Sequence, residues 1–139
     1  MSQGILNNMR SIMRNRLSSR HTDEYIHSIE KVESTTIIRL RGSITFFTLP
    51  EIQAEFTYKV RGREPGNVIL DLKDVTKVDS SSIALLIERL KYLKTQEEES
   101  EIGLINLSEK MRSLLKLLRL QEVFKEYPTE AEALVTIPR

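Results

Sequence analysis

The chain has 139 residues, with 21 basic and 20 acidic side chains and no cysteine. That length suits one domain around one core, and the balanced charge makes no case for nucleic-acid binding. The absence of cysteine removes disulfides, thiolate chemistry and cysteine metal sites, which fits a cytoplasmic protein. No apolar run approaches the ~20 residues a helix needs to cross a bilayer.

The charge is unevenly placed. Residues 1–22 carry Arg10, Arg14, Arg16 and Arg20 and no acid, while Ile5, Leu6, Met9, Ile12, Met13 and Leu17 recur at helical spacing. Arginine and asparagine interrupt these apolar residues, which argues against a signal peptide. Two readings stay open. The segment is a frayed leader or a helix packed on its own domain, or it is a basic amphipathic helix that touches an acidic membrane surface or a partner protein. The folded domain is expected over residues 23–139.

Residues 25–41 read as two strands. In the first, Tyr25, Ile26, Ile29 and Val32 alternate imperfectly; the second, Thr35 to Arg41, is rich in β-branched residues and stops at Gly42. After Ser43-Ile44-Thr45-Phe46-Phe47 comes a helix-start signal, with Thr48 as cap, Pro50 in the first turn and Glu51 completing a capping box. Leu49, Ile52, Phe56 and Val60 then mark a buried face. One of Phe46 and Phe47 is expected in the core under this helix and the other on the surface as an interface anchor.

Gly62 to Gly66, with Pro65 inside, is a break. Val68-Ile69-Leu70 is a continuous apolar run within residues 67–72, as in a strand buried on both faces. Asp79-Ser80-Ser81-Ser82 follows, and then a helical stripe of Ile83, Leu86, Ile87, Leu90 and Leu93. Glu97, Glu98, Glu99 and Glu101 form a solvated acidic turn. Ile102 to Ile105 is the next strand. Ser108 caps a helix whose buried face is Met111, Leu114, Leu115 and Leu118. Val123 and Phe124 suggest a last short strand, and Thr129 with Glu132 forms a second capping box before a final helix. The order β-β-α-β-α-β-α-β-α predicts an α/β fold, a largely parallel central sheet of about five strands with about four helices, joined by right-handed crossovers.

The chemistry points away from an enzyme. His21 and His27 are the two histidines, both far in sequence from the serine cluster, and no spacing supplies a nucleophile with its base and orienting group. No nucleophile elbow, glycine-rich phosphate loop or metal-ligand pattern is present, so neither cofactor nor metal is expected. A serine hydrolase drawing on the cluster is the distant alternative, to be tested with a fluorophosphonate probe. The serines do stand between a strand and a long helix. There a hydroxyl can cap, a helix N-terminus attracts negative charge, and partners often approach the sheet edge.

Residues 67–90, NVILDLKDVTKVDSSSIALLIERL, resemble the core motif of the STAS family, named for sulfate transporters and anti-sigma factor antagonists. In that family an apolar strand leads to an Asp-Ser-Ser-Gly turn and directly into a helix; the element order and the ending TEAEAL are also similar. The resemblance spans about residues 25–137 and implies a STAS fold with a mixed sheet. It implies that the first serine after the aspartate, Ser80, accepts phosphate from a serine kinase. It further implies partner switching with a kinase-type anti-sigma protein, and the partner surface is expected at Gly42, Ser43, Thr45, Phe46, Phe47, Thr48, Asp79, Ser80, Ser81 and Ser82.

Two residues depart from the family pattern. Ser82 stands in place of the glycine, a change expected to tighten or bulk the turn, and Thr45 stands where antagonists carry an acid. The paired phenylalanines are more similar to STAS domains of sulfate-permease-type transporters. The second functional reading is therefore a module serving a membrane anion or lipid transporter, at the inner face of the membrane.

Overall fold

The computed structural model describes residues 24–60 and 66–137. The basic leader and nearly all of the Gly/Pro break lie outside the described residues. Five strands form one sheet in sequence order: β1 (Ile26–Val32), β2 (Thr35–Ile44), β3 (Asn67–Val78), β4 (Ile102–Ile105) and β5 (Lys125–Tyr127). β1 is antiparallel to β2, and every other pair is parallel. Among the described residues three helices connect them, α1 (Leu49–Val60), α2 (Ser80–Gln96) and α3 (Glu109–Leu117), and a fourth, α4 (Glu130–Thr136), follows β5.

The period-2 alternation of the central strands divides the core between the two faces of the sheet. Ile38, Leu40, Val68, Leu70 and Leu104 join the larger cluster, which also takes Ile52 and Phe56 from α1, Leu86 from α2 and Leu115 from α3. Ile37, Ile69 and Ile105 face the other way, against Tyr127 and Ala133 and Ile137 at α4. The continuous apolar run of β3 is thus buried on both faces, as the sequence predicts.

The second face also holds charge. Arg39 Nη1 donates to Asp71 Oδ2 at 2.9 Å and to Glu130 Oε1 at 2.8 Å, and Asn106 Nδ2 donates to Asp71 Oδ1 at 2.9 Å. Burial pushes the Asp71 carboxyl up. The hydrogen bonds from Asn106, the Lys73 N–H and Arg39, with the guanidinium charge, outweigh that effect and hold it below its ordinary value.

Several sequence expectations change. β2 continues past Gly42 to Ile44, because Gly42 adopts φ +82° and absorbs a register shift without ending the strand. β3 continues to Val78, paired with the same stretch of β2. The last strand begins after Val123 and Phe124: Phe124 is buried in the core, while Val123 is exposed. Leu118 follows the end of α3 and is exposed, since the helix closes at Leu117. Of the second capping box only half forms, the Thr129 hydroxyl accepting from Glu132 N–H at 3.1 Å.

Candidate functional site

Parallel pairing brings the ends of β2 and β3 together, with Ile44 opposite Val78. The loop 45–48 and the start of α2 therefore share the C-terminal edge of the sheet, where loops gather in open α/β folds. Two hydrogen bonds tie them together and two more cap the helix. Asp79 is the N-cap of α2: its Oδ1 accepts from Ser81 N–H at 2.8 Å, while its Oδ2 accepts from Phe46 N–H at 3.1 Å. Ser82 Oγ accepts from Asp79 N–H at 3.2 Å and donates to the Ile44 carbonyl at 2.5 Å.

The three serines have different positions in consequence. Ser82 is 2% exposed and completes a reciprocal capping box across to β2. The residue that replaces the family glycine is therefore a structural tie to β2. Ser81 is half-buried and contributes its backbone N–H to the cap. Ser80 is the first helical residue and is exposed. Its hydroxyl is left over after the cap has been made.

The loop overturns one expectation outright. Phe46 and Phe47 are both exposed, at 68% and 88%, with rings 5.6 Å apart in an edge-to-face pair. Neither fills the core, because Ile44 and Thr45 occupy the inward positions at the strand end and Phe56 of α1 fills the space beyond. Thr45, at the position where an acid was expected from the family pattern, is 6% exposed.

Thr48 does not complete a box with Glu51. Its hydroxyl accepts from Thr45 N–H at 3.0 Å and donates to the Ser43 carbonyl at 2.8 Å, which closes the loop on itself. Glu51 instead accepts from the Tyr25 hydroxyl at 2.9 Å. Gly42 and Ser43 are half-buried in the bulge behind the loop.

All the expected site residues thus lie on one edge, but with separate tasks. Phe46, Phe47 and Ser80 face solvent; Thr45 and Ser82 are buried; Thr48 and Asp79 hold the frame. The bridging role of Asp79 was not anticipated, since its partner Phe46 stands 33 residues away. Among the described residues no group of three or more His, Asp or Glu is placed to hold a metal, and no helix is long and apolar enough to cross a membrane.

Residues 27–133 match the STAS domain family. The chain belongs to that family. An anti-sigma F factor antagonist from Paenibacillus polymyxa is 21% identical over 109 residues, covering 78% of this chain and 92% of the relative. A putative anti-sigma factor antagonist from Thermotoga maritima superposes with a TM-score of 0.69 at 21% identity, over 86% of this chain and 99% of the other. The Bacillus cell-fate determinant SpoIIAA in its phosphorylated form gives a TM-score of 0.59 at 22% identity, over 80% and 98%. These likenesses establish an antagonist-like STAS fold.

Proposed function

We propose that this protein is a non-catalytic partner switch, in which phosphorylation of Ser80 controls binding of a kinase-type anti-sigma protein. One observation carries the reading. Ser80 is the exposed hydroxyl at the start of α2, beside a presented aromatic pair, and Asp79 hydrogen-bonds to both the helix start and the loop. The partner surface is then residues 42–48 with residues 79–82, carried by a folded unit over residues 23–139, with residues 1–22 as a separate basic leader.

A phosphate on Ser80 brings up to about two negative charges beside the Asp79 carboxylate. The helix end tolerates that charge, but a docked acidic or hydrogen-bonding surface is repelled. Incubation with the candidate kinase and ATP, followed by phosphosite mapping, tests the reading. Phosphate is expected on Ser80 and should be absent from Ser80→Ala; phosphate elsewhere alone would contradict it.

A second reading, a STAS module acting beside a membrane anion or lipid transporter, is favoured by Thr45. Its burial leaves the loop with apolar rings in place of a presented acid. Capture of a membrane transporter, and not an anti-sigma protein, would decide for that reading.

A further inference from the structure

We propose that the opposite edge of the sheet holds a site for a linear polyamine, an alkyl chain bearing two or more ammonium groups. β2 and β3 end together on the Ser80 edge at Ile44 and Val78, while Asn67 opens β3 at the other end, paired with Thr35. An open cavity of about 590 Å³ lies there, between the turn joining β1 to β2, the C-terminal end of α2 and the loops before β4 and β5. Backbone ties fix its walls. Ser100 N–H donates to the Glu97 carbonyl at 3.1 Å, Glu101 N–H to Asn67 Oδ1 at 2.8 Å, and Val68 N–H to the Glu101 carbonyl at 3.0 Å. At Gly66 a side chain would collide with the Ser34 carbonyl, so glycine lets the turn close against the start of β3.

Two independent features point to a cation. Glu97, Glu99, Glu101 and Glu122 line the cavity, and none is paired with a cation among the described residues. Elsewhere Glu55, Glu126 and Glu130 each hold a lysine or an arginine. Lys94 also lines the cavity, but its Nζ donates to the Glu98 carbonyl at 3.0 Å, and Lys31 stands beside Gly66. Four carboxylates against two ammonium groups leave the cavity negative, and the C-terminal end of α2 adds to that potential. The second feature is Ser100, which lines the cavity at 2% exposure and whose Oγ has no hydrogen-bond partner among the described residues. Buried hydroxyls without a partner are rare and costly, and this one can accept from an ammonium group held in the cavity.

The lining selects an extended cation over a metal ion. Among the described residues no three carboxylates converge as a metal ion requires. Leu90 and Val123 also line the cavity and offer apolar surface to methylene stems. Separated carboxylates with apolar surface match a chain in which ammonium groups alternate with methylenes. The site stands at the other end of α2 from Ser80 and does not depend on its phosphorylation.

Isothermal titration of the full chain with spermidine at physiological ionic strength, with magnesium chloride as competitor, tests the proposal. One saturable site is expected, undiminished by magnesium at an equal concentration of charge. The Glu97→Gln, Glu101→Gln double variant is expected to lose about tenfold in affinity, with unchanged thermal melting. Glu122→Gln, in an exposed loop, is expected to lose about threefold and serves as the readout should the double variant melt early. Ser100→Ala is expected to lose about fivefold, while its melting temperature without spermidine does not fall, because the hydroxyl has no partner to lose. Neutralising two exposed acids outside the cavity, Asp74→Asn with Glu132→Gln, is expected to leave the affinity unchanged. The proposal is overturned if no saturable site is seen, if magnesium displaces spermidine at equal charge, or if the Asp74, Glu132 variant weakens binding as much as the cavity variant does. A Ser100→Ala protein that melts lower without spermidine also overturns it, since the hydroxyl then serves the fold.

Discussion

Two helix starts in this molecule draw on serine and use it differently. At α3 one hydroxyl does the capping, Ser108 Oγ accepting from Met111 N–H at 3.1 Å. At α2 the cap is Asp79 and the reciprocal bond comes from Ser82, so the intervening Ser80 has neither task. A hydroxyl engaged in capping is tied to the fold, and modifying it disturbs the helix. A hydroxyl left over beside a completed cap is free to be modified while the helix stands. That is the physical difference between a structural serine and one that can serve as a switch.

The comparison breaks most visibly at Ser82. Ser82→Ala leaves the Ile44 carbonyl and the Asp79 N–H without their partner at a buried position, and is expected to cost about 3 kcal/mol in urea denaturation. Next comes Asp71, which takes part in neither cap and serves as a comparison. Asp71→Asn weakens the contacts with Arg39, Asn106 and Lys73 and is expected to cost about 2 kcal/mol at neutral pH. Because the folded state holds the Asp71 pKa below its ordinary 3.8, the stability from that charge is present above that value. It is lost as pH falls through the lower folded value, so Asp71→Asn should flatten the acid limb of a stability-versus-pH profile.

Smaller effects sharpen the contrast. Ser108→Ala removes an ordinary cap and should cost about 1 kcal/mol, leaving phosphorylation of Ser80 unchanged in a kinase assay. Ser80→Ala should change stability by less than about 0.5 kcal/mol, because the exposed hydroxyl has no structural duty, while phosphate incorporation disappears. A large destabilisation by Ser80→Ala would erase the distinction between the two helix starts.

Much of the fold was legible because local chemistry and tertiary demand agree. The β-branched run of β2, the apolar run of β3 and the capping serine at α3 each satisfy both. That residues 42–48 and 79–82 meet on one edge was legible, but their separate roles were not. Whether either ring of Phe46 and Phe47 is buried depends on whether other residues already fill the space, and Ile44, Thr45 and Phe56 are the buried residues there. The role of Ser82 depends on a carbonyl 38 residues away, and that of Asp79 on an amide 33 residues away. Parallel pairing of β2 and β3 creates both neighbours, and no local pattern announces them. The Thr48 signal was a real capping pattern, but its hydroxyl found nearer partners inside its own loop.

The central claim is that Ser80 is a switch and not a cap. Affinity capture with wild type, Ser80→Ala and Ser80→Asp, each checked by thermal melting, tests it most directly. Wild type and Ser80→Ala should retain the same partner, and Ser80→Asp should retain it about tenfold less or weaker still, with all three equally folded. Equal retention by Ser80→Asp would contradict the account.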